Sequence, residues 1–179
     1  MQEQELIRLA KGGSRDAFGQ LVSRYQLPVY RVIRGILSDP LGSEDVAQEV
    51  FLKAFSGLAR VRGESGLFTW LYRIAVNEAL RARKQRGFVT LDAVAEHEAP
   101  VPEPEAEEGP TIATLEKLLK KLPDDFRAIV VLRDLEGLSY TEISESLDIP
   151  LGTVESRIFR ARQELRTLWR KSKEKNHVL

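Results

Sequence analysis

The chain has 179 residues, of which 42% are hydrophobic and 30% charged, so it is long enough for one or two folded domains and too hydrophobic to be disordered. It contains no cysteine, which excludes disulfides and thiolate metal sites. The formal net charge is zero, but residues 1–87 carry +5, residues 88–110 carry −7 and residues 111–179 carry +2. No apolar run approaches the ~20 residues of a membrane helix, and the N-terminus lacks a signal-peptide pattern. We therefore expect a cytoplasmic chain that does not insert into a membrane.

The acidic stretch, residues 88–110, divides the chain into two parts. It is rich in proline and glutamate and has no hydrophobic periodicity. Such a composition cannot bury enough apolar surface to fold by itself, so we predict a flexible linker. Residues 1–87 and 111–179 show helical periodicity almost throughout, which predicts an all-α protein of two small helical domains.

The first part contains four predicted helices. Apolar spacing places the first two over residues 3–11 and 15–37. The third is predicted to begin after Ser43, a residue type that favours the N-cap position. The fourth covers residues 66–85, and Gly87 is suited to end it.

The third helix separates two kinds of side chain on its two faces. Its predicted core face consists of Ala47, Val50, Phe51 and Ala54. Its outer face consists of Asp45, Gln48, Glu49 and Leu52. On spacing alone this outer face is either an ordinary solvated surface or, because Leu52 lies among the polar groups, a surface for a protein partner.

The fourth helix carries a stripe of aromatic, amide and cationic side chains. On a helical wheel the stripe consists of Trp70, Arg73, Asn77, Arg81 and Lys84. This combination suits single-stranded nucleic acid, because bases stack on aromatic rings while cations follow the phosphates. Phe68, at the start of the helix, fits either this surface or the core.

A helix-turn-helix is predicted near the C-terminus. Ser139 and Glu142 have the spacing of a capping box that opens one helix. Pro150 and Gly152 interrupt the pattern, and Thr153 is predicted to cap a second helix. In such a motif the second helix enters the DNA major groove.

The wheel of this second helix predicts how it meets DNA. The apolar side consists of Val154, Ile158, Ala161 and Leu165. The opposite side consists of Ser156, Phe159, Arg160 and Gln163, with Glu155 nearby. Arginine pairs with guanine, glutamine with adenine, and a carboxylate accepts from cytosine. Arg157 and Arg162 lie on the flanks, where DNA phosphates would run.

Three classes of function are compatible with a soluble helical protein of this kind. A conventional dimeric helix-turn-helix regulator would use the second domain but would leave the stripe on the fourth helix without a role. An enzyme is disfavoured, because the sequence has no phosphate-binding glycine loop, no HExxH and no nucleophile elbow, and we expect no cofactor. The third class, a transcription initiation factor, uses both domains.

Four segments carry a resemblance that covers nearly the whole chain. They are EDVAQEVFLKAF, FTWLYRIAVNEALRARKQR, LPDDFRAIVVLRDLEGLSYTEIS and PLGTVESRIFRAR. In this order they resemble the extracytoplasmic-function sigma factors of bacteria. The resemblance implies a stress-response factor that binds core RNA polymerase, directs it to promoters and helps melt the minus-ten region.

The resemblance also implies roles for individual residues. Asp45, Gln48 and Glu49 match the contact to the clamp helices of the polymerase beta-prime subunit, and the beta subunit is expected to contact the chain as well. Asn77 and the loop from Arg62 to Phe68 match the part that captures a flipped minus-ten base.

The family pattern extends to the linker and to the second domain. Ser156, Phe159 and Arg160 match the reader of the minus-thirty-five element. Glu155 departs from the Arg or Lys of many relatives, so the promoter sequence cannot be transferred from them. The linker matches the segment that threads the polymerase, and an anti-sigma factor usually restrains members of the family.

Overall fold

The computed structural model describes residues 2–61, 66–86 and 111–176. Within these ranges every regular element is helical, which confirms the predicted all-α class. The helices are α1 (Glu3–Lys11), α2 (Arg15–Leu37), α3 (Pro40–Gly57), α4 (Leu67–Gln85), α5 (Ile112–Leu119), α6 (Asp124–Val130), α7 (Tyr140–Leu147) and α8 (Leu151–Asn176). A 3-10 turn (Leu58–Arg60) follows α3, and a π-helical turn (Val131–Leu135) continues α6. The predicted linker, Gly87 and Arg62 lie outside the described residues.

Helix α2 forms the centre of the N-terminal group and packs against α1, α3 and α4. Its start is fixed by Ser14, whose hydroxyl accepts a hydrogen bond from the Ala17 backbone N–H at 3.3 Å. Its apolar side chains, from Leu21 to Ile36, are buried at helical spacing. The bounds of α1 and α2 are those predicted from the sequence.

The start of α3 corrects a prediction. Asp39 occupies the N-cap position and Pro40 is the first helical residue, so the helix begins before Ser43. Proline is favoured at a first helical position because it has no N–H to leave unsatisfied. Ser43 is instead buried in the first turn, where its hydroxyl donates to the Asp39 carbonyl at 2.5 Å.

The C-terminal group is organised around α6 and α8. At its centre lies Arg127, whose side chain is fully buried. Its guanidinium donates to the carbonyls of Leu119 at 2.5 Å, Leu122 at 3.0 Å and Ile36 at 2.9 Å. Burial and the nearby guanidinium of Arg83 lower the pKa of Arg127 to about 10, which leaves the side chain charged at neutral pH.

The two helical groups pack directly against each other. Helix α4 lies on α7, and α2 lies on α6. Buried side chains from both groups join in one hydrophobic core. Among the described residues, no helix is both long enough and apolar enough to cross a bilayer.

Candidate polymerase and nucleic-acid surfaces

The outer face of α3 is open to solvent. Asp45, Gln48 and Glu49 are exposed, and the side chain of Leu52 is 70% exposed. Leu41, at the start of the same face, is 77% exposed. Two leucines that flank polar groups and make little contact with the core are typical of a protein-binding surface.

An apolar groove between α2 and α3 adjoins this face. Its lining is mainly aromatic and aliphatic and includes Phe18, Val22, Leu27, Tyr30, Phe51, Leu52 and Phe55. Phe18 and Phe55 pack edge to face, with ring centroids 5.0 Å apart. The sequence analysis did not identify Leu27 and Phe55 as part of an exposed apolar surface. Both are large apolar residues that lie outside the buried stripe of their helices, and this position was a signal for such a surface.

The stripe on α4 divides into an exposed end and a half-buried end. Asn77, Arg81 and Lys84 are exposed, whereas Trp70 and Arg73 are half-buried. The Trp70 ring packs closely over Gly57, where an added β-carbon would lie 3.0 Å from the indole. The Arg73 guanidinium donates to the Glu145 carbonyl of α7. Asn77, Arg81 and Lys84 are therefore the residues of the stripe that are most accessible to a ligand in this structure.

Phe68 belongs largely to the core side of α4. It is half-buried, and its ring lies 4.2 Å from that of Tyr72 and 6.0 Å from that of Tyr25. This aromatic cluster fixes the start of the helix. The ring is only half-buried, so its proposed contact with the minus-ten element stays a prediction.

Acidic side chains hold Arg81 on the surface of the N-terminal group. Its guanidinium lies 2.9 Å from the Glu49 carboxylate and 2.6 Å from that of Glu78. Glu78 also pairs with Lys53 at 2.5 Å. Burial alone would raise the pKa of Glu78, but Lys53 and Arg81 lower it below its usual value. Glu49, on the predicted partner face of α3, is therefore ion-paired with Arg81, which belongs to the predicted nucleic-acid stripe on α4.

The C-terminal group contains the predicted helix-turn-helix. Ser139 and Glu142 form both hydrogen bonds of the capping box at the start of α7. Asp148 ends α7 in the left-handed conformation, with φ of 56°. Helix α8 then begins at Leu151, so Thr153 lies half-buried inside the helix and is not its cap, contrary to the prediction.

The rotation of α8 follows the predicted wheel. Val154, Ile158 and Ala161 are buried, and Leu165 packs partly against them. On the opposite side Glu155, Ser156 and Phe159 are exposed, while Arg160 and Gln163 are half-buried. The Arg160 guanidinium lies along its own helix, 3.3 Å from the Ser156 carbonyl. This contact lies on the helix surface and leaves the side chain able to swing towards a base.

The two flanking arginines are held by acidic residues of the same group. Arg157 pairs with Asp125 at 3.1 Å, and Arg162 pairs with Asp134 at 2.5 Å. The hydrogen bonds that Arg162 donates to the Asp134 carboxylate raise the pKa of Arg162 above its usual value. A DNA phosphate would compete with a carboxylate for each of them.

Two protein-family models match the chain, one over the N-terminal helical group and one over the C-terminal group. The model described as sigma-70 region 2 matches residues 21–89, which include most of α2 and all of α3 and α4. The model described as sigma-70, region 4 matches residues 112–165, which include α5 to α7 and the first part of α8.

Individual relatives agree with this match. The chain is 38% identical over 177 residues to the RNA polymerase sigma-H factor of Pseudomonas aeruginosa, with 92% of each chain covered. It is 41% identical over 176 residues to the ECF RNA polymerase sigma-E factor of Haemophilus influenzae, with 90% of this chain and 92% of that one covered. Among solved structures, the sigma factor RpoE of Bartonella quintana, in complex with the anti-sigma factor NepR, has a TM-score of 0.66 and 25% identity. That alignment covers 86% of this chain and 96% of RpoE.

These similarities decide between the three classes of function. They extend through both helical groups, whereas a conventional helix-turn-helix regulator would account only for the second. Sigma factors bind RNA polymerase, direct it to promoters and are not enzymes. The chain belongs to the extracytoplasmic-function (ECF) family of RNA polymerase sigma factors.

Proposed function

We propose that this sigma factor binds core polymerase through α3, holds the minus-ten element on α4 and reads the minus-thirty-five element with α8. The observation that carries the proposal is the outer face of α3, where Leu52 is 70% exposed between acidic side chains and an apolar groove. A side chain of this size gains about 1.5–3 kcal/mol when it is fully buried, which only a partner can supply here.

The polymerase contact combines apolar burial with charge. Leu52 and the groove supply the apolar part, while Asp45, Gln48 and Glu49 supply acceptors for cations and amides of the partner. Charges at an interface mainly select the correct partner and raise the association rate. The resemblance to the family implies that these four residues contact the beta-prime clamp helices, and we propose that other surfaces of the chain contact the beta subunit.

The minus-ten contact uses the exposed end of the α4 stripe. The Asn77 amide both donates and accepts hydrogen bonds, which suits the edge of an unpaired base. Arg81 and Lys84 lie near it on the same side and would follow the phosphates, and Arg73 and Trp70 extend the surface towards the start of α4. Arg62, which lies outside the described residues, is proposed to contact the same element. Recognition of a base outside the helix stack helps offset the few kcal/mol that unstacking costs.

Asn77→Ala is expected to impair promoter opening more than initial promoter binding. Duplex binding through α8 does not need this amide, but an unpaired minus-ten base does. Permanganate footprinting of thymines and run-off yield would measure opening on paired templates and on templates mismatched at minus-ten. The mismatched template should rescue the mutant only in part, since melting is supplied but base recognition is still missing.

Gln85→Ala is the matched control, because Gln85 is an exposed amide at the end of the same helix. It should open promoters as the wild type does. Normal opening and normal base preference in Asn77→Ala would remove Asn77 from the minus-ten contact.

The minus-thirty-five contact uses the exposed side of α8. Ser156, Phe159, Arg160 and Gln163 are proposed to reach base edges, with Glu155 accepting from a cytosine. Thr153 lies at the N-terminal end of the helix, where a hydroxyl and the backbone N–H groups suit a phosphate. Arg157 and Arg162 are proposed to contact phosphates after exchanging their carboxylate partners for them.

Arg160→Ala is expected to lower discrimination at one base of the minus-thirty-five element by about 1–3 kcal/mol, as for a lost bidentate pair. Arg162→Ala should weaken binding evenly across sequences, as for a lost phosphate contact. Asp134→Asn is the matched control: it frees Arg162 from its carboxylate and should strengthen binding evenly. A panel of single-base promoter variants would measure all three. Altered base preference in Arg162→Ala, with none in Arg160→Ala, would show that α8 is rotated differently on DNA.

We also propose that an anti-sigma factor restrains this chain. The support is the similarity to RpoE of Bartonella quintana, which was solved with the anti-sigma factor NepR. The exposed apolar groove between α2 and α3 adjoins the proposed polymerase face, so a protein bound there would exclude the polymerase.

A further inference from the structure

We propose that Gly152, the second residue of α8, lets the first turn of this helix lie against the floor of the DNA major groove, where a side chain would hold it away. Gly152 thereby determines specificity at the minus-thirty-five element, although it has no side chain that could read a base. This inference rests on the proposed function of α8, and it adds a position to the side of the helix that reads bases.

The folded chain gives no reason of its own for a glycine at this position. The backbone of Gly152 is helical, whereas the described glycines with positive φ are Gly13 and Gly137. A β-carbon on Gly152 would meet no other part of the described chain within 4 Å. Since glycine loses more conformational freedom on folding than any other residue, it weakens the fold where another residue would fit. The requirement for it therefore lies outside the chain.

Gly152 lies at the centre of the side of α8 that is proposed to read bases. It is exposed, and at about 100° per residue its α-carbon lies within about 40° of Ser156, Phe159 and Gln163 around the helix axis. It also lies in the first turn of the helix. In a helix-turn-helix it is the N-terminal part of the second helix that contacts base edges.

The dimensions of the groove and of a helix leave little room between them. The major groove of B-DNA is about 12 Å wide, and an α-helix with its side chains is about 10–12 Å across. The depth to which the helix enters therefore depends on the side chains of its first turn. Without one at Gly152 the backbone can approach the base edges, which brings Ser156 and Phe159 within contact distance of them.

The turn before α8 holds the start of the helix in place. Asp148 has left-handed backbone geometry, with φ of 56°. The Ser144 hydroxyl donates to the Ile149 carbonyl at 2.6 Å, and the Ile149 N–H donates to the Ser144 carbonyl at 3.2 Å. Val154, in the same turn of α8 as Gly152, is buried. A side chain at Gly152 would therefore displace the whole helix-turn-helix from the groove, not only the tip of α8.

Substitution of Gly152 should change stability and DNA binding in opposite directions. Gly152→Ala should raise the midpoint of thermal unfolding of the full chain by about 1–4 °C, because alanine at a helical position restricts the unfolded chain. In holoenzyme assembled with core polymerase, Gly152→Ala should bind the minus-thirty-five element more weakly. Gly152→Leu should lower that affinity about tenfold or more, comparable with the loss of one bidentate base contact.

Fluorescence anisotropy of the holoenzyme on labelled promoter DNA would measure the effect. The probe is a promoter found by start-site mapping with this chain, compared with the same promoter carrying a replaced minus-thirty-five sequence. The ratio of the two affinities reports recognition of that element, since contacts with the polymerase and with the minus-ten element contribute equally to both. A purely structural role of Gly152 would not lower this ratio while raising the midpoint of unfolding.

Gly19→Ala and Gly19→Leu are the matched controls. Gly19 is an exposed glycine inside α2, and a β-carbon there would also meet nothing within 4 Å in the described chain. Gly19→Ala should raise the midpoint of unfolding as Gly152→Ala does. Both Gly19 variants should keep the wild-type ratio of affinities.

Measured beside Arg160→Ala, the outcomes separate this inference from the proposed function. A wild-type ratio in Gly152→Leu, with discrimination lost in Arg160→Ala, would overturn the role of Gly152 and leave α8 as the reader. Unchanged discrimination in both variants would overturn the proposed function of α8 together with the inference. A lower midpoint of unfolding in Gly152→Ala would show that the fold itself requires the glycine, and would overturn the inference as well.

Discussion

Asp45→Lys with Glu49→Lys is expected to abolish binding to core RNA polymerase while leaving the fold intact. Both residues are exposed on the outer face of α3, so the core of the N-terminal group does not depend on their charge. Like charges brought together at an interface cost several kcal/mol, and each 1.4 kcal/mol is about a tenfold change in affinity. A loss of about 1,000-fold or more is therefore expected in co-purification with core enzyme, with unchanged helicity by circular dichroism.

The ion pair between Glu49 and Arg81 requires a control, since the reversal also places two cations together on α3 and α4. Glu49→Lys with Arg81→Glu keeps that pair in reverse and should still lose much of its polymerase affinity. Glu155→Lys with Glu164→Lys makes the same change in net charge on exposed positions of α8 and should bind core enzyme normally. Undiminished binding by the α3 double mutant would remove this face from the polymerase contact.

Arg127→Met is expected to destabilise the C-terminal group by about 3–5 kcal/mol, or to prevent its folding. The substitution keeps an unbranched chain but removes the guanidinium donor of the Leu122 and Ile36 carbonyls, and leaving a buried carbonyl unsatisfied costs about 1–3 kcal/mol. The Leu119 carbonyl still accepts from the Leu122 N–H at 3.2 Å. Part of the loss is offset because a desolvated cation is also removed. Urea denaturation followed by circular dichroism would measure the change.

Arg170→Met is the matched control for this prediction, because Arg170 is exposed on α8. It should change the free energy of unfolding by less than about 0.5 kcal/mol, as is usual for surface positions. An equally small change for Arg127→Met would mean that water or other donors satisfy the Leu122 and Ile36 carbonyls.

Helix positions were largely predictable from local signals. Ser14 and the capping box at Ser139 are sequence patterns with a local physical basis, and both fix the starts of their helices. The wheel of α8 was predictable for the same reason, since burial of Val154 and Ile158 follows from spacing alone.

Two predicted helix starts were wrong, because another residue nearby is a stronger signal for the start of a helix. Pro40 marks the first residue of α3 more strongly than Ser43 marks a cap, because proline both fixes φ and lacks the N–H that a first turn cannot bond. At α8 the helix begins directly after Pro150, so Thr153 is already inside it.

The contacts between the two groups could not be predicted from spacing. Arg83 and Arg127 have the same sequence character as the exposed arginines around them, and only tertiary packing buries them. Gly35 follows the apolar stripe of α2 and was a signal for close approach, but nothing local identifies Val131 as its neighbour. The pairs Glu49–Arg81, Asp125–Arg157 and Asp134–Arg162 were missed for the same reason, because the two partners are distant in sequence. The pair Glu78–Arg81 was missed although its three-residue spacing on one helix is a local signal.

The most direct measurement of the central claim is transcription by purified core polymerase with and without this chain. The isolated complex should contain one chain per core enzyme. Run-off assays, with start sites mapped across genomic DNA, should show initiation at a discrete set of promoters that share minus-ten and minus-thirty-five sequences. Permanganate should then detect reactive thymines at the minus-ten positions of those promoters. No stable complex with core enzyme, or no initiation above that of core enzyme alone, would contradict the account.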